Sequence, residues 1–449
     1  MIETMSLYPS WLHPEYDASA LLPCTARWQD GELAIGGLPV TQAVAQFGSP
    51  VYILDEQDFR ARAAQFRDAF APWRVYYAGK AFLCSTVARW AHECGLGVDV
   101  CSAGEMAIAL RGGVPASSLG VHGNNKSADE MKTAIEIGAG HIVVDSNDEI
   151  DRLQSLAGGH KVPVLVRVTP DVEAHTHAYV QTAVADQKFG FALDGGVALD
   201  ALLRLHSAAE FDLLGVHCHI GSQIQDTDGY EQSVASLVGL LARFRDITGV
   251  QLPELGLGGG FGIGYTQADA PLPAAGFAPV LRRAVDGATA AAGLDPLEVF
   301  IEPGRAIVGP AGVAIYTVGT VKKVSLPGGT RTYVAVDGGM SDNPRPALYE
   351  SEYSALLAGR HSDAPPMLCR VVGKHCETGD LLVRHAFLPS DLKPGDIIAV
   401  PSSGAYQRAM ASNYNGSLRP PVVAVRDGGG TVLIRRETID DLLAIDVGR

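Results

Sequence analysis

Residues 97 to 123 read GVDVCSAGEMAIALRGGVPASSLGVHG, and this stretch decides the fold. GVDVCS and LGVHG are short apolar runs of the kind that form buried strands. The AGEMAIALRGG between them repeats its apolar residues at helical spacing and stops at glycine. A strand, a helix and a second strand in so short a length form a parallel βα unit, because parallel strands need a crossover. The unit recurs on both sides. VYYAGK lies upstream with STVARWAHECG after it, and SADEMKTAIEIGAG leads downstream to HIVVDS, so four strands start near residues 75, 98, 119 and 141. VPVLVRV, LLGVHCHI, LGLGGG and EVFIEPGR bring the strands to eight, and eight successive βα units predict a parallel (β/α)8 barrel of the TIM type.

The pattern changes near Gly309. AGVAIYTVGTVKKV, RTYVAVDGG, MLCRVVGKHC, DIIAVPSSGAY and PVVAVRDGGGTVLIRRE alternate β-branched residues with glycine-rich turns, which predicts an all-β domain over 310–449. DGGG at 427 to 430 predicts a hairpin turn. RWQDGELAIGG, within the first 45 residues, is another hairpin-like piece that is expected to run back and join this β domain. The expected organisation is an N-terminal segment over 1–45, a barrel over 46–309 and a C-terminal β domain. A chain of 449 residues is long enough to bury a core in each of two domains.

Composition removes several function classes. A formal charge of -15 argues against nucleic-acid and anionic-membrane partners, since both require a basic footprint. No run reaches the length of a transmembrane helix, and MIETMSLYPSWLHPEY has neither a basic leader nor an apolar core, which leads to the expectation of a cytoplasmic protein. The seven cysteines form no C-x-x-C pair, so neither a disulfide framework nor a zinc ribbon is expected.

In such a barrel the chemistry sits at the C-terminal ends of the strands. Here those ends carry Lys80, then Asp99 and Ser102, His122, Asp145, Arg167, His217 with His219, and finally Glu302 with Arg305. Lys80 closes an apolar run, and a buried unpaired ammonium is strongly penalised. It therefore belongs at an exposed strand end, or its amine has a chemical task. The seventh strand ends in Gly258, Gly259 and Gly260, followed by Phe261 and Gly262, and the loops after strands 7 and 8 are the usual phosphate site of this fold. Taken singly, each feature has a plainer reading. The glycines relieve crowding in a turn, Lys80 is a solvated strand end, Glu302 pairs with Arg305, and His217-x-His219 is a pair of metal ligands as in metal-dependent hydrolases. Taken together, a lysine, a phosphate cradle and a carboxylate at one barrel mouth suggest pyridoxal 5'-phosphate, whose aldehyde forms a Schiff base with an amine. Lys80 then carries the Schiff base, Glu302 pairs with the pyridine nitrogen, the glycine turn and Ser222 hold the phosphate, and His219 lies against the ring.

Y-A-G-K-A (77–81), H-C-H-I-G-S (217–222), G-G-G-F-G (258–262), E-P-G-R (302–305), D-G-G-M-S-D-N-P-R-P-A-L-Y (337–349), C-E-T-G-D (376–380), G-A-Y (404–406) and S-N-Y-N (412–415) occur in this order. Across nearly its whole length the chain resembles the meso-diaminopimelate decarboxylases, members of the alanine-racemase-like, fold-type III class of pyridoxal-phosphate enzymes. H-x-x-G-S and E-P-G-R occur across related ornithine and arginine decarboxylases, whereas the segments at 337–349 and 376–415 narrow the resemblance to the diaminopimelate branch. It implies conversion of meso-2,6-diaminopimelate to L-lysine and carbon dioxide, the last step of lysine biosynthesis, by a homodimer with shared active sites. Lys80, Cys376 and His219 are implied as catalytic, with Cys376 protonating the carbanion. The implied cofactor-binding set is Lys80, Asp99, His219, Ser222, Gly259, Gly260, Glu302, Gly304, Arg305 and Tyr406. Arg305, Arg345, Tyr349, Glu377 and Tyr406 are implied to contact substrate, and no metal is expected. Gly79 stands where the family often has a larger residue, and Thr378 where serine is common. Selecting a double-headed zwitterion needs a cation for its distal carboxylate and an anion for its distal ammonium, and Arg345 and Glu377 are groups of those two kinds. A same-class decarboxylase of ornithine, a polyamine precursor or a carrier-tethered amino acid, a metal-dependent hydrolase, and a cofactor carrier remain alternatives.

Overall fold

A computed structural model describes residue 9, residues 12–13, 17–170, 188–327 and 329–448, so part of the segment expected over 1–45 lies outside the described residues. Contacts divide the chain into two compact units. One comprises Arg62–Gly262 and Pro271–Ala306; the other comprises Met1–Ala61, Ile263–Ala270 and Ile307–Arg449.

The first unit holds eight parallel strands: β1 (Arg74–Ala78), β2 (Gly97–Val100), β3 (Leu119–Val121), β4 (His141–Val144), β5 (Val162–Thr169), β6 (Phe211–His217), β7 (Glu254–Gly256) and β8 (Glu298–Ile301). Each pairs with the next, and β8 closes on β1 through Phe300↔Arg74 and Ile301↔Val75, which makes the predicted barrel. Val98, Val100, Ile142, Val143, Val164 and Val166 are almost wholly buried. A barrel strand has helices on one face and the interior on the other, which is why these runs are apolar without alternation. Tyr76, Val143, Leu165 and Phe300 pack together as a core cluster.

Serines start three of the outer helices. The Ser102, Ser127 and Ser146 hydroxyls accept from the backbone amides of Glu105, Glu130 and Glu149, and Glu130 reciprocates to form a capping box. Ser102, one of the polar strand ends, is thus accounted for as a helix cap. A buried ion pair ties the loops after β3 and β4 together. Lys126 Nζ donates to Glu149 Oε1 at 2.8 Å, to the Val143 carbonyl at 2.6 Å and to the Gly123 carbonyl at 2.8 Å, while Glu149 Oε2 accepts from the Asp145 amide at 2.7 Å. Every donor of the ammonium is used, which is what makes such a pair tolerable in a dry site. Lys126→Met strands the carboxylate and is expected to cost about 3 kcal/mol or more of stability, whereas Lys126→Met with Glu149→Leu recovers much of it. Thermal unfolding of the two proteins checks this; equal losses would leave the pair without a role.

The second unit is mostly β. Its main sheet runs in the order Leu381–Pro389, Pro366–Val372, Gly329–Val336, Gly312–Leu326, Val51–Asp55, Val422–Arg426 and Gly429–Ile434. Val51–Asp55 falls inside the stretch 46–309 expected to form the barrel, yet it is hydrogen-bonded into this sheet, antiparallel to Gly312–Leu326 and parallel to Val422–Arg426. The hairpin at DGGG closes with Arg426 opposite Gly429, and Asp427 and Gly428 both have positive φ, the requirement of a two-residue I′ turn. Leu33, Ile35 and Leu38 of the N-terminal hairpin pack with Val51, Ile53, Val313, Ile315 and Val423 in one core cluster. Leu381–Pro389 is a strand that the sequence patterning leaves out. No helix among the described residues is long and apolar enough to cross a membrane.

Candidate active site

Parallel strands bring their C-terminal ends to one mouth of the barrel, and the polar residues gather there. Lys80 follows β1 in the single 3-10 turn Gly79–Ala81 and is exposed. It stands at the open end of its strand, one of the two possibilities that the sequence allowed. A Cβ on Gly79 would come within 2.7 Å of the Asp99 carbonyl oxygen, so the backbone here has no room for a side chain.

Beneath the mouth lies a buried polar cluster. His217 Nε2 is 2.9 and 3.0 Å from the two oxygens of Glu302, and His122 Nε2 lies 3.4 Å from Glu302 Oε1 and 3.5 Å from Asp99 Oδ1. Burial opposes charge on Glu302, but the imidazoles of His217 and His122 outweigh it and hold the carboxyl below the usual carboxylate range. Asp99 moves the other way, since burial, and then the neighbouring Glu302, push it well above that range. The two carboxyls are thus driven in opposite directions. Burial also pushes the His122 imidazole well below its usual value, with Glu302 opposing the shift. Hydrogen bonding does not use up this cluster, as neither oxygen of Asp99 has a hydrogen-bond partner and His122 Nε2 has none either. Arg167 extends the ring, with its guanidinium 4.2 Å from the centre of the Phe189 ring and 3.7 Å from Asp145 Oδ1. His141, just below, is pushed down to about 4 by burial and packs against Tyr76 and Phe300. It opens β4 rather than ending it, so the strand-end rule passes over it.

The two histidines of H-x-H go to different places. His217 serves Glu302, whereas His219 Nδ1 accepts from the Gly259 amide at 3.3 Å. Burial, and after it Lys80, hold His219 well below its usual value, so its ring is neutral. Among the described residues, the ligating groups that converge are His122, His217 and Glu302, whose ligating atoms lie within 4.8 Å of one another, and His219 is not one of them.

The turn after β7 has no room for side chains. Gly258 and Gly260 have φ of +66° and +112°, and a Cβ on Gly259 or Gly260 would meet the carbonyl oxygens of Glu302 or Gly221 at 2.1 and 2.5 Å. Only glycine permits this path, which exposes backbone to an incoming anion. Ser222 is beside it and accepts from Arg305 at 2.7 Å; the buried Gly304 lies against the Ala78 carbonyl. A phosphate cradle, a buried ionised carboxylate, unsatisfied polar atoms and an exposed amine at one mouth suit pyridoxal 5'-phosphate, whose phosphate, ring nitrogen and aldehyde call for those partners.

The remaining site candidates are in the second unit. Arg345 is buried, donates to the Tyr353 hydroxyl at 2.5 Å and lies 4.9 and 5.6 Å from the ring centres of Tyr265 and Tyr353. These tyrosines have no sequence signature and become visible only in the fold. Tyr349 ends the helix Arg345–Tyr349 and is half-buried, as is Tyr406. Tyr406 has φ of +58°, a left-handed conformation that bulky residues rarely adopt and that surrounding structure must enforce. Cys376 and Glu377 are exposed on the loop between Pro366–Val372 and Leu381–Pro389. Asp380 stakes that loop down by accepting from the His375 and Met340 amides at 2.7 and 2.6 Å. The D that ends C-E-T-G-D is therefore structural, a role the motif alone does not distinguish from a ligand-binding one.

An eight-stranded parallel barrel with this mouth is the architecture of a pyridoxal-phosphate decarboxylase, and residues 56–309 match the family described as pyridoxal-dependent decarboxylase, pyridoxal binding domain. The diaminopimelate decarboxylase of Mycobacterium tuberculosis strain H37Rv is 47% identical over 434 residues, covering 94% of this chain and 96% of that protein. That of Bacillus subtilis is 43% identical over 425 residues, 93% and 96% of the two chains. The crystal structure of the M. jannaschii diaminopimelate decarboxylase in complex with L-lysine superposes with a TM-score of 0.88 at 28% identity, covering 95% of this chain and 98% of that one. The chain belongs to the diaminopimelate decarboxylase family.

Proposed function

We propose that this protein removes the carboxylate at the D-configured centre of meso-2,6-diaminopimelate, releasing carbon dioxide and L-lysine, the final step of lysine biosynthesis. The observation that carries the reading is the barrel mouth itself: Lys80, the glycine turn and a buried, histidine-held Glu302 carboxylate, in a chain 47% identical to a diaminopimelate decarboxylase. Lys80 would hold the aldehyde of pyridoxal 5'-phosphate, Glu302 its ring nitrogen, Gly259, Gly260, Gly304 and Ser222 its phosphate, and His219 its ring face, with Asp99, Arg305 and Tyr406 completing the pocket. Bound there, the cofactor supplies an electron sink for the pair left behind when carbon dioxide departs.

The rest is the work of the chain. Glu302 keeps a negative charge in a dry site because His217 hydrogen-bonds it, and that charge favours a proton on whatever base faces it. The Cys376 thiol delivers a proton to the carbon that has lost its carboxylate. Arg345 takes the distal carboxylate and Glu377 the distal ammonium, while Arg305, Tyr349 and Tyr406 orient the substrate between them. We place Cys376 and Glu377 in the site of a partner subunit, so that a homodimer builds two equivalent sites. Purified protein given meso-diaminopimelate is expected to release equimolar carbon dioxide and L-lysine. Faster release of carbon dioxide from ornithine, or from another amino acid in a panel, would replace this substrate assignment, and a colourless protein carrying zinc would overturn the cofactor.

Glu302→Gln keeps the shape of the side chain and removes its charge. It is expected to retain cofactor binding, read by absorbance titration, while turnover falls roughly a hundredfold, as when a positioned electrostatic group is deleted. Unchanged turnover would reduce Glu302 to a structural partner of His217.

A further inference from the structure

Glu377 is exposed, yet its carboxylate does not swing freely. Tyr414 donates its phenol hydroxyl to Glu377 Oε2 at 2.8 Å, and the carboxylate in turn raises the phenol's pKa. The tyrosine is itself anchored. Its ring lies 5.2 Å from that of His375, whose nitrogens are within 3.0 Å of Asn415 Oδ1 and 2.8 Å of Ser341 Oγ. The same His375 shares its backbone with the Glu377 loop, because the Glu377 amide donates to its carbonyl at 2.8 Å. Asn413, on the other side of Tyr414, donates to Glu437 Oε2 at 2.6 Å and to the Ser417 carbonyl at 2.9 Å. The segment S-N-Y-N at 412–415 thus holds a phenol in a fixed place, aimed at one oxygen of one carboxylate.

We infer that Tyr414 is a specificity-determining residue: it positions Glu377 so that the second carboxylate oxygen receives the distal ammonium of the substrate. This deepens the reading that Glu377 is the acceptor of that ammonium, and rests on it. A glutamate side chain loses considerable rotamer freedom when a ligand orders it, and a bond made before the ligand arrives removes part of that cost. Because the phenol sits beside Glu377 and not at the reacting carbon, the effect falls on binding. Tyr414→Phe keeps the ring on His375 and deletes only the hydroxyl.

Holoenzyme is tested with three competitive inhibitors: L-lysine, cadaverine, which lacks the carboxylate of lysine, and 6-aminohexanoate, which lacks its α-ammonium. Tyr414→Phe is expected to weaken L-lysine and cadaverine about tenfold, the scale of a hydrogen bond to a charged group at a wet site, and to leave 6-aminohexanoate within about twofold. For meso-diaminopimelate the loss appears in KM, with a much smaller change in kcat. Equal weakening of all three inhibitors means that Tyr414 only supports the loop, and no weakening means that the bond does nothing for binding; either result overturns the inference. Glu377→Gln separates the two levels. If it discriminates among the inhibitors while Tyr414→Phe does not, only the role of Tyr414 fails; if Glu377→Gln does not discriminate, the assignment of Glu377 fails and the inference falls with it.

Discussion

Lys80→Ala protein is expected to fold normally and to lose decarboxylation by on the order of a thousandfold or more, the scale seen when the group that forms the covalent bond is deleted. The two halves of this expectation have separate causes. Lys80 is exposed at the end of β1, so its truncation opens no cavity and strands no buried partner, and such surface changes shift stability by about 0.5 kcal/mol or less. Activity is different, since no other lysine among the described residues lies at the end of β1 with Asp99 and His219 in its electrostatic field. Borohydride reduction of the wild-type protein followed by peptide mass spectrometry is expected to find the cofactor mass on the peptide carrying Lys80. Its appearance on another lysine, or a Lys80→Ala protein with normal turnover, would remove Lys80 from the chemistry.

How much of this could be read from the sequence depends on what each element packs against. The eight barrel strands are buried on both faces, so their apolar runs are continuous and announce themselves, and parallel geometry then puts every strand end at one mouth. That is why the sequence alone brings Lys80, His217 and Glu302 to one place. Val51–Asp55 is as apolar as a barrel strand, and it precedes one by a helix, so nothing local separates it from the barrel. Its partners, Gly312–Leu326 and Val422–Arg426, are hundreds of residues away, and only tertiary pairing reveals them. Leu381–Pro389 was hidden for another reason: Arg384 and His385 interrupt the alternation that marks a strand. In the site, residue types were legible and partnerships were not. The motif gives Arg345, but its seat among Tyr265 and Tyr353 depends on where three side chains from distant segments point. Only the resemblance singles out Cys376 as the acid, because nothing in its local sequence separates it from the other six cysteines; the fold leaves it exposed on a loop staked by Asp380.

Mixing two nearly inactive proteins is expected to restore activity. Cys376→Ala removes the proposed proton donor and should lower turnover by about two to three orders of magnitude, the usual scale for a positioned general acid. The proposed shared site puts this thiol in the partner's barrel mouth. Cys376 and Glu377 are exposed on the loop between Pro366–Val372 and Leu381–Pro389, so the thiol is not packed as a small apolar side chain in a core. A two-fold dimer makes reciprocal contacts, so a loop that enters the partner's barrel mouth does so twice and builds two equivalent sites. When Lys80→Ala and Cys376→Ala proteins exchange subunits, each heterodimer has one site with neither group and one with both. At equal mixing about half the dimers are heterodimers, so roughly a quarter of all sites recover and activity should rise to that fraction of wild type. The measurement needs native mass spectrometry to show that heterodimers have formed. If they have and activity stays at the level of the two parents, the site is not shared; recovery near a quarter, which neither parent can supply, is the signature of a thiol that serves its neighbour.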